Sequence, residues 1–327
     1  MEQNLSGQLY RLLLMKRKWL ETFIPFLVIL IIIIYLYSQQ ENLLTMLSNV
    51  SPLTFSLLIT LQLVGLVTSG LLLNLFVLKF NVRLKSKEWF GLSVVTVMAN
   101  YLTPFSGGML ARAAYLKQRH AFPYAQFVTM LSANYLITFW VVGCCGAISM
   151  LVYPAHFSIP IFILFVTVIL GTSILTFLPH LRLPGKNWFI HNVNMAILAW
   201  CQVRDDRPLV LKLIGYTLIN ISVNGLSFWV AYAGLGQEVP FVLALLFGLL
   251  ISFSILINIT PGNLGVQEAV SAFSAEILGV GATEGLLAAL IIRAALLVTV
   301  LTLGPIFSYL LTQELSTHKS NYRCSDK

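Results

Sequence analysis

One short signature occurs twice in this chain, and each copy interrupts a long apolar stretch. The order Thr-Pro, three residues and Gly is found at Thr103, Pro104 and Gly108 and again at Thr260, Pro261 and Gly265. Proline removes a backbone hydrogen-bond donor and glycine lacks a side chain, so each copy interrupts a helix. Inside lipid such a break persists only where it is buried in protein or lines a wet cavity. Two broken segments in corresponding halves of a membrane protein indicate a binding site.

The composition is that of an integral membrane protein. Hydrophobic residues make up 58% of the chain and charged residues only 10%, whereas soluble domains have roughly 25% charged residues. A membrane-spanning helix needs about 20 apolar residues, and the stretches that reach or approach this length are 19–37, 53–78, 124–151, 160–177, 209–233 and 285–311. Two further apolar stretches, about 89–103 and 241–260, end at the two signatures.

The distribution of basic residues favours one topology. We place the N-terminus in the cytoplasm and treat the two interrupted stretches as re-entrant helical hairpins. The outer loops are then 38–52, 152–159, 234–240 and 279–284, and none contains Lys or Arg. All but one of the 20 basic residues lie on the cytoplasmic side, a strong positive-inside pattern. We therefore expect an inner- or plasma-membrane protein with both termini in the cytoplasm, and the net charge of +8 does not indicate a nucleic-acid partner.

This topology predicts an internal repeat. The unit 53–151 consists of a span, a hairpin and a span, and it reappears in inverted orientation as 209–311. The predicted fold is therefore all-α: a single transmembrane domain over residues 1–327, with about six spanning helices and two re-entrant hairpins in an inverted repeat. A linker at about 179–208 is expected to lie along the cytoplasmic interface. In transporters built this way, the binding site lies near the midplane where the repeats meet.

Arg293 is the basic residue that falls inside a span. A charge at that depth costs about 2.5–3.5 kcal/mol on insertion scales, so a partner or a water-filled cavity is expected. Glu268, three residues after Gly265 and at the start of the returning helix 266–278, is the natural partner. The pair has two interpretations, which are compatible: a structural tie between hairpin and span, or part of a binding site.

Arg112 follows Gly108 by four residues in the returning half of the first hairpin. It is positioned either to meet an anionic headgroup or to extend to the membrane interface. The helix after each signature begins within the protein, and a helix N-terminus suits an anion. The candidate substrate-binding residues are therefore Arg112, Arg293, Glu268, Gly108, Gly262, Gly265, Asn263 and Ser106, and the structural hairpin breaks are Thr103, Pro104, Gly107, Thr260 and Pro261.

The sequence contains no nucleophile motif, metal-ligand pair or phosphate-binding P-loop. We therefore expect neither enzymatic activity nor a metal or other cofactor.

The spacing of these residues resembles that of a known family. Pro104, Gly108 and Arg112 match one motif, and Pro261, Gly262, Gly265 and Glu268, followed by Arg293, match a second. The sequence from about residue 53 to 311 resembles the lysylphosphatidylglycerol synthase/flippase transmembrane family. It departs from the family pattern at Gln267, where relatives often have arginine, and at Asn134, where relatives often have a charged residue. The soluble aminoacyl-transferase domain of the bifunctional relatives is missing, so the synthase activity is not expected.

The resemblance implies a lipid flippase or transporter. Such a protein moves an amphiphilic lipid or its headgroup, anionic or zwitterionic, between leaflets. Two alternatives remain open: a carrier or channel for a small ion or solute, and a non-catalytic accessory subunit that accompanies a partner enzyme of lipid or envelope synthesis. An intramembrane enzyme is a weaker alternative, because no acid–base or metal set is present in the sequence.

Overall fold

The computed structural model describes residues 50–103, 105–177, 190, 194, 201, 203–257 and 260–325. Within these residues the regular structure is entirely helical, as predicted. The first predicted span, 19–37, and most of the predicted interfacial linker lie outside the described residues. The α-helices are α1 Pro52–Lys79, α2 Ser86–Leu102, α3 Gly107–His120, α4 Tyr124–Val152, α5 Ile159–Phe177, α6 Arg207–Gly234, α7 Phe241–Ser252, α8 Val266–Ile277 and α9 Ala282–Ser325.

Four of these helices are long and apolar enough to cross a membrane. They are α1, α4, α6 and the Ala282–Ser316 part of α9. Their positions agree with four of the predicted spans. The helices α5 and α7 are apolar but shorter.

Side-chain caps explain where the two central helices begin. At the start of α1 the Ser51 hydroxyl accepts a hydrogen bond from the Thr54 amide at 3.1 Å, and Pro52 occupies the first helical turn. At the start of α6 the Asp206 carboxylate accepts a hydrogen bond from the Leu209 amide at 3.2 Å. Each cap satisfies an amide that has no partner within its helix, and proline is tolerated there because it lacks the amide hydrogen.

The ends of the helices lie in two groups, one at each end of the molecule. At the first, which we call the basic end, Lys79 of α1 forms an ion pair with Asp206 at 2.6 Å. At the opposite end, Gly234 of α6 packs against Thr54 of α1. The two central helices therefore run antiparallel.

The same two ends bring together the remaining helices. At the basic end, Arg119 of α3 lies 3.7 Å from Glu88 of α2 and 3.6 Å from Glu314 of α9. At the opposite end, the His156 side chain lies 2.6 Å from the Leu278 carbonyl oxygen and so joins the segment after α4 to the end of α8.

The first two helices of each half of the chain, α1–α4 and α6–α9, pack in similar ways, whereas α8 packs closely on α9 and α3 contacts α4 only slightly. The helices α1 and α6 pack against each other at the centre. The helix α2 packs on α1 and α9, and α7 packs on α6 and α4 in the corresponding places. The core between them is filled by large buried side chains such as Phe76, Tyr232 and Phe247. In this arrangement the second signature is largely buried, whereas Thr103 and Phe105 of the first are exposed and its Gly108 is buried.

Candidate functional site

The first signature separates α2 from α3 in a tight bend. The Asn100 side-chain oxygen accepts a hydrogen bond from the Gly108 amide at 2.9 Å and so joins the two helices across the break. Ser106 adopts a left-handed backbone conformation, with φ of 57°. A Cβ atom at Gly108 would overlap the carbonyl oxygen of Thr96, and one at Gly107 would overlap the Thr103 side chain. Glycine is therefore required at both positions by the close approach of α2 and α3. Pro104 lies outside the described residues.

The second signature also interrupts the α-helical structure. After α7 the chain forms a short 3₁₀ turn, Phe253–Ile257, and a second one, Pro261–Asn263. Gly262 and Gly265 both have positive φ, 58° and 82°. The Thr260 hydroxyl donates to the Leu264 carbonyl at 2.8 Å, and the Glu268 carboxylate accepts from the Gly265 amide at 2.8 Å. The buried Asn263 amide group donates to the Ser254 carbonyl at 2.9 Å. Side chains thus satisfy backbone groups that the helix break leaves free.

The two breaks contact each other. A Cβ atom at Gly262 would overlap the ring of Tyr101, which precedes the first signature. The Arg293 guanidinium lies over the same ring, 5.5 Å from its centroid. The glycine at 262 is therefore needed both for its positive φ and for the contact with Tyr101.

Arg293 is bound on several sides by the second break. Its Nε forms an ion pair with Glu268, as the sequence predicted. Its terminal nitrogens donate to the Gly262 carbonyl at 2.9 Å and to the Gln267 side-chain oxygen at 3.0 Å, with a longer contact of 3.4 Å to the Asn263 carbonyl. The side chains of Arg293 and Glu268 are only 6% and 2% exposed. The charge of Arg293 is thus compensated inside the protein.

Arg112 has a different environment. Its Nε donates to the Thr96 hydroxyl at 2.8 Å, and Tyr135 of α4 lies within electrostatic range. Among the residues that the structure describes, no carboxylate forms an ion pair with Arg112. The side chain lines an internal cavity.

This cavity has a volume of about 500 Å³ and lies between the two halves of the bundle. Both Arg112 and Arg293 line it, and no Asp or Glu is found among the described residues of its wall. The wall has further polar groups from α1, α2, α4, α6 and the second break, including Gln62, Asn100, Tyr101, Asn134, Tyr135, Asn220, Asn224 and Asn263. The arrangement suits a polar or anionic group of moderate size.

The predicted site residues divide into two groups. Gly262 and Asn263 line the cavity beside the two arginines, while Glu268 holds Arg293. Ser106, Gly108 and Gly265 shape the breaks, and the amides of the two glycines are bonded to Asn100 and Glu268. At these two positions the backbone amide is therefore already bonded and is not available to an anion.

Several residues of the cavity wall were not predicted. Tyr101 and Thr96 lie on α2 just before the first signature, and Gln267 directly precedes Glu268. Their nearness in sequence to the signatures could have indicated that they line the site. Tyr135 had no such signal, because a tyrosine in an apolar helix is ordinary. Among the described residues no group of three His, Cys, Asp or Glu side chains is arranged to hold a metal ion.

The four long apolar helices surround a cavity with two arginines and several amide side chains in its wall, so the chain has the features of a helical membrane protein. The chain belongs to the family of the lysylphosphatidylglycerol synthase TM region, whose model matches residues 22–304. This membership confirms the resemblance seen in the two signatures. No curated protein and no solved structure matches the chain significantly.

Proposed function

We propose that this protein moves an amphiphilic lipid, or the headgroup of one, between the two leaflets of the membrane. The observation that carries this proposal is the polar cavity of about 500 Å³ at the place where the two helix breaks meet. The headgroup occupies the cavity while the acyl chains remain in the bilayer. The protein acts as a non-enzymatic transporter in the inner or plasma membrane.

The arrangement of helix ends supports an inverted repeat with two re-entrant hairpins. Glu88 at the start of α2 is 3.0 Å from His120 at the end of α3. The open end of this helix pair, which is the end opposite the break, therefore lies at the basic end. The pair α7 and α8 has its open end at the opposite end, where His156 contacts Leu278. With the basic end in the cytoplasm, the first hairpin enters from the cytoplasm and the second from outside. Both termini are then cytoplasmic.

This topology gives the site a role in alternating access. Inverted repeats expose a central site to one side and then the other, when one repeat moves against its partner. Tyr101 of the first break and Gly262 of the second are in contact, so a change in the relative position of the hairpins changes the shape of the cavity directly.

The test is leaflet transfer of fluorescent phosphatidylglycerol and phosphatidylcholine in vesicles that contain the purified protein. We expect transfer above that of protein-free vesicles. The variant Thr138→Trp fills the cavity from α4, since Thr138 lines it, and should slow transfer at least about tenfold by blocking the headgroup. Ile148→Trp is the matched control, because Ile148 lies on the same helix and is 60% exposed, and it should transfer lipid at the wild-type rate.

Two results would contradict the proposal. One is folded wild-type protein that transfers neither lipid. The other is equal transfer by Thr138→Trp and wild type, which would show that lipid does not pass through the cavity. Uptake of glycerol 3-phosphate by the same vesicles without lipid transfer would favour a solute carrier instead.

A further inference from the structure

The two arginines of the cavity differ in how their charges are balanced. Arg293 is paired with Glu268, and its terminal nitrogens are bonded to Gly262, Gln267 and Asn263. Arg112 has a neutral hydroxyl, that of Thr96, as its hydrogen-bond partner within the described residues. With no carboxylate in the described part of the wall, the cavity carries one uncompensated positive charge.

Comparison of the two halves shows where a carboxylate partner for Arg112 would be expected. In the second half, Glu268 on the returning helix α8 pairs with Arg293 on the long helix α9. In the first half, the returning helix α3 carries Arg112, and the long helix α4 has Tyr135 at the position that Arg293 occupies relative to the start of α9. The ion pair of the second half is therefore complete, whereas the first half has Arg112 and, at the position of the second charge, a tyrosine that lines the same cavity.

The geometry around Arg112 favours a ligand rather than a structural role. The Thr96 hydroxyl donates to the Leu92 carbonyl at 2.5 Å and accepts from Arg112 Nε at 2.8 Å, so the guanidinium is fixed from one side. Its terminal nitrogens have no hydrogen-bond partner among the described residues, while the side chain lines the cavity. A planar guanidinium held in this way presents two parallel donors to a phosphate or carboxylate.

An uncompensated cation at membrane depth is costly unless an anion or water neutralises or solvates it. We propose that Arg112 is the anion-binding residue of the cavity, that its ligand is a group with one phosphate charge, and that Arg293 holds the two breaks together without binding the ligand. The inference rests on the proposed function and specifies the headgroup. A second phosphate charge would have no free cation to meet, because Glu268 already neutralises Arg293.

The test is binding of phosphatidylglycerol, diacylglycerol and glycerol 3-phosphate to the purified full chain, measured by native mass spectrometry. Arg112→Gln should weaken phosphatidylglycerol binding at least about tenfold, as expected for loss of a charge-assisted bidentate contact. It should leave diacylglycerol binding unchanged, because that lipid has no phosphate. Arg112→Lys should retain part of the affinity, and Arg83→Gln, which makes the same change at an exposed arginine, should retain all of it.

The double variant Glu268→Gln/Arg293→Gln separates the two arginines. It removes both charges of the ion pair that holds the second break, so it should weaken phosphatidylglycerol and diacylglycerol binding to the same extent, because the cavity changes shape but keeps its free cation. The inference is overturned if Arg112→Gln binds phosphatidylglycerol as tightly as wild type, or if the double variant, like Arg112→Gln, loses phosphatidylglycerol binding while it keeps diacylglycerol binding.

The outcomes also separate this inference from the proposed function. If wild type and Arg112→Gln transfer phosphatidylglycerol equally in vesicles, lipid transport stands and the anion site is wrong. If glycerol 3-phosphate binds through Arg112 while no lipid is bound or transferred, the phosphate site stands, its ligand is soluble, and the lipid proposal fails.

Discussion

At the scale of single residues, Gly108 determines how closely the two helices of the first hairpin approach. A Cβ atom there would overlap the Thr96 carbonyl oxygen. The obstacle is backbone, which no rotamer change can remove. We expect Gly108→Ala to destabilise the protein by about 1–3 kcal/mol, the usual cost of overpacking, as measured by thermal unfolding in detergent.

Gly215 provides the matched control for this substitution. It lies in α6, where an added Cβ would meet nothing within 4 Å. Alanine there should stabilise the helix by about 0.5–1 kcal/mol, because it restricts the unfolded chain more than glycine does. Equal unfolding temperatures for the two variants would show that α2 and α3 are not closely packed at Gly108.

The Arg293–Glu268 pair is the second prediction at this scale. Because both side chains are almost completely buried, Glu268→Gln leaves a buried charge without its carboxylate and should cost about 3–5 kcal/mol of stability. The double variant Glu268→Gln/Arg293→Gln removes both charges and should recover part of that loss. Unfolding temperatures of the single and double variants measure the coupling between the two residues.

An exposed ion pair is the control for the buried one. Lys79 and Asp206 are 34% and 31% exposed, so Lys79→Gln should cost less than about 1 kcal/mol. If Glu268→Gln is no more destabilising than Lys79→Gln, the buried pair does not hold the second break to α9.

At the scale of helices, a cluster around Glu88 joins α2, α3 and α9 at the basic end. Its carboxylate accepts hydrogen bonds from the Tyr115 hydroxyl at 3.0 Å and the Lys85 amide at 2.9 Å, and it lies 3.0 Å from the His120 ring. Arg119 connects this cluster to Glu314. The helix α9 is thereby tied to the open end of the first hairpin.

The cluster predicts a dependence of stability on pH. Burial alone would raise the pKa of Glu88, but the contacts with His120, the Lys85 amide and Tyr115 outweigh it and lower the pKa to about 2. A carboxyl whose pKa is lower in the folded state stabilises the fold above its ordinary pKa of 4.5, and this stabilisation is lost as the pH falls towards 2.

We therefore expect Glu88→Gln to be destabilising at pH 7, on the order of 3 kcal/mol for a shift of this size. The difference from wild type should shrink as the pH falls below 4.5. Thermal unfolding of both proteins at a series of pH values measures it. A difference that stays constant from neutral to acidic pH would show that the Glu88 carboxylate is not responsible.

The helices themselves show which parts of the fold were predictable. The returning helix was predicted at 266–278 and is found at Val266–Ile277, because its start is marked locally by Gly265 and Glu268. The end of α7 was not predictable. The apolar sequence continues to the second signature, yet the helix ends at Ser252, and the Asn263 amide bonds to Ser254 in the turn that follows.

The site also has features that were predictable from the sequence and features that were not. A buried arginine requires a partner, so Glu268 was predictable from its cost in free energy. The contact of Tyr101 with Gly262 and the presence of Tyr135 in the same cavity wall as Arg112 depend on helices that are distant in sequence. Patterns within one helix carry no information on such contacts, and the absence of a carboxylate partner for Arg112 among the described residues became visible only in three dimensions.

At the scale of the whole molecule, the proposed topology requires both ends of each helical hairpin to lie on the same side of the membrane. Arg83 and Lys117 flank the first hairpin, and Glu238 and Glu276 flank the second; all four are exposed. Single cysteines at these positions, in a protein without its native cysteines, can be tested in intact cells with a thiol reagent that does not cross membranes.

We expect Glu238→Cys and Glu276→Cys to react from outside the cell, and Arg83→Cys and Lys117→Cys to react only after the membrane is opened. The physical basis is that the basic end remains in the cytoplasm and that each helix pair turns back at its break. Reaction of the two cysteines of one hairpin from different sides would mean that the interrupted segment crosses the bilayer. The two halves would then no longer be inverted copies of each other. Movement of one half against the other could then not open the cavity first to one leaflet and then to the other.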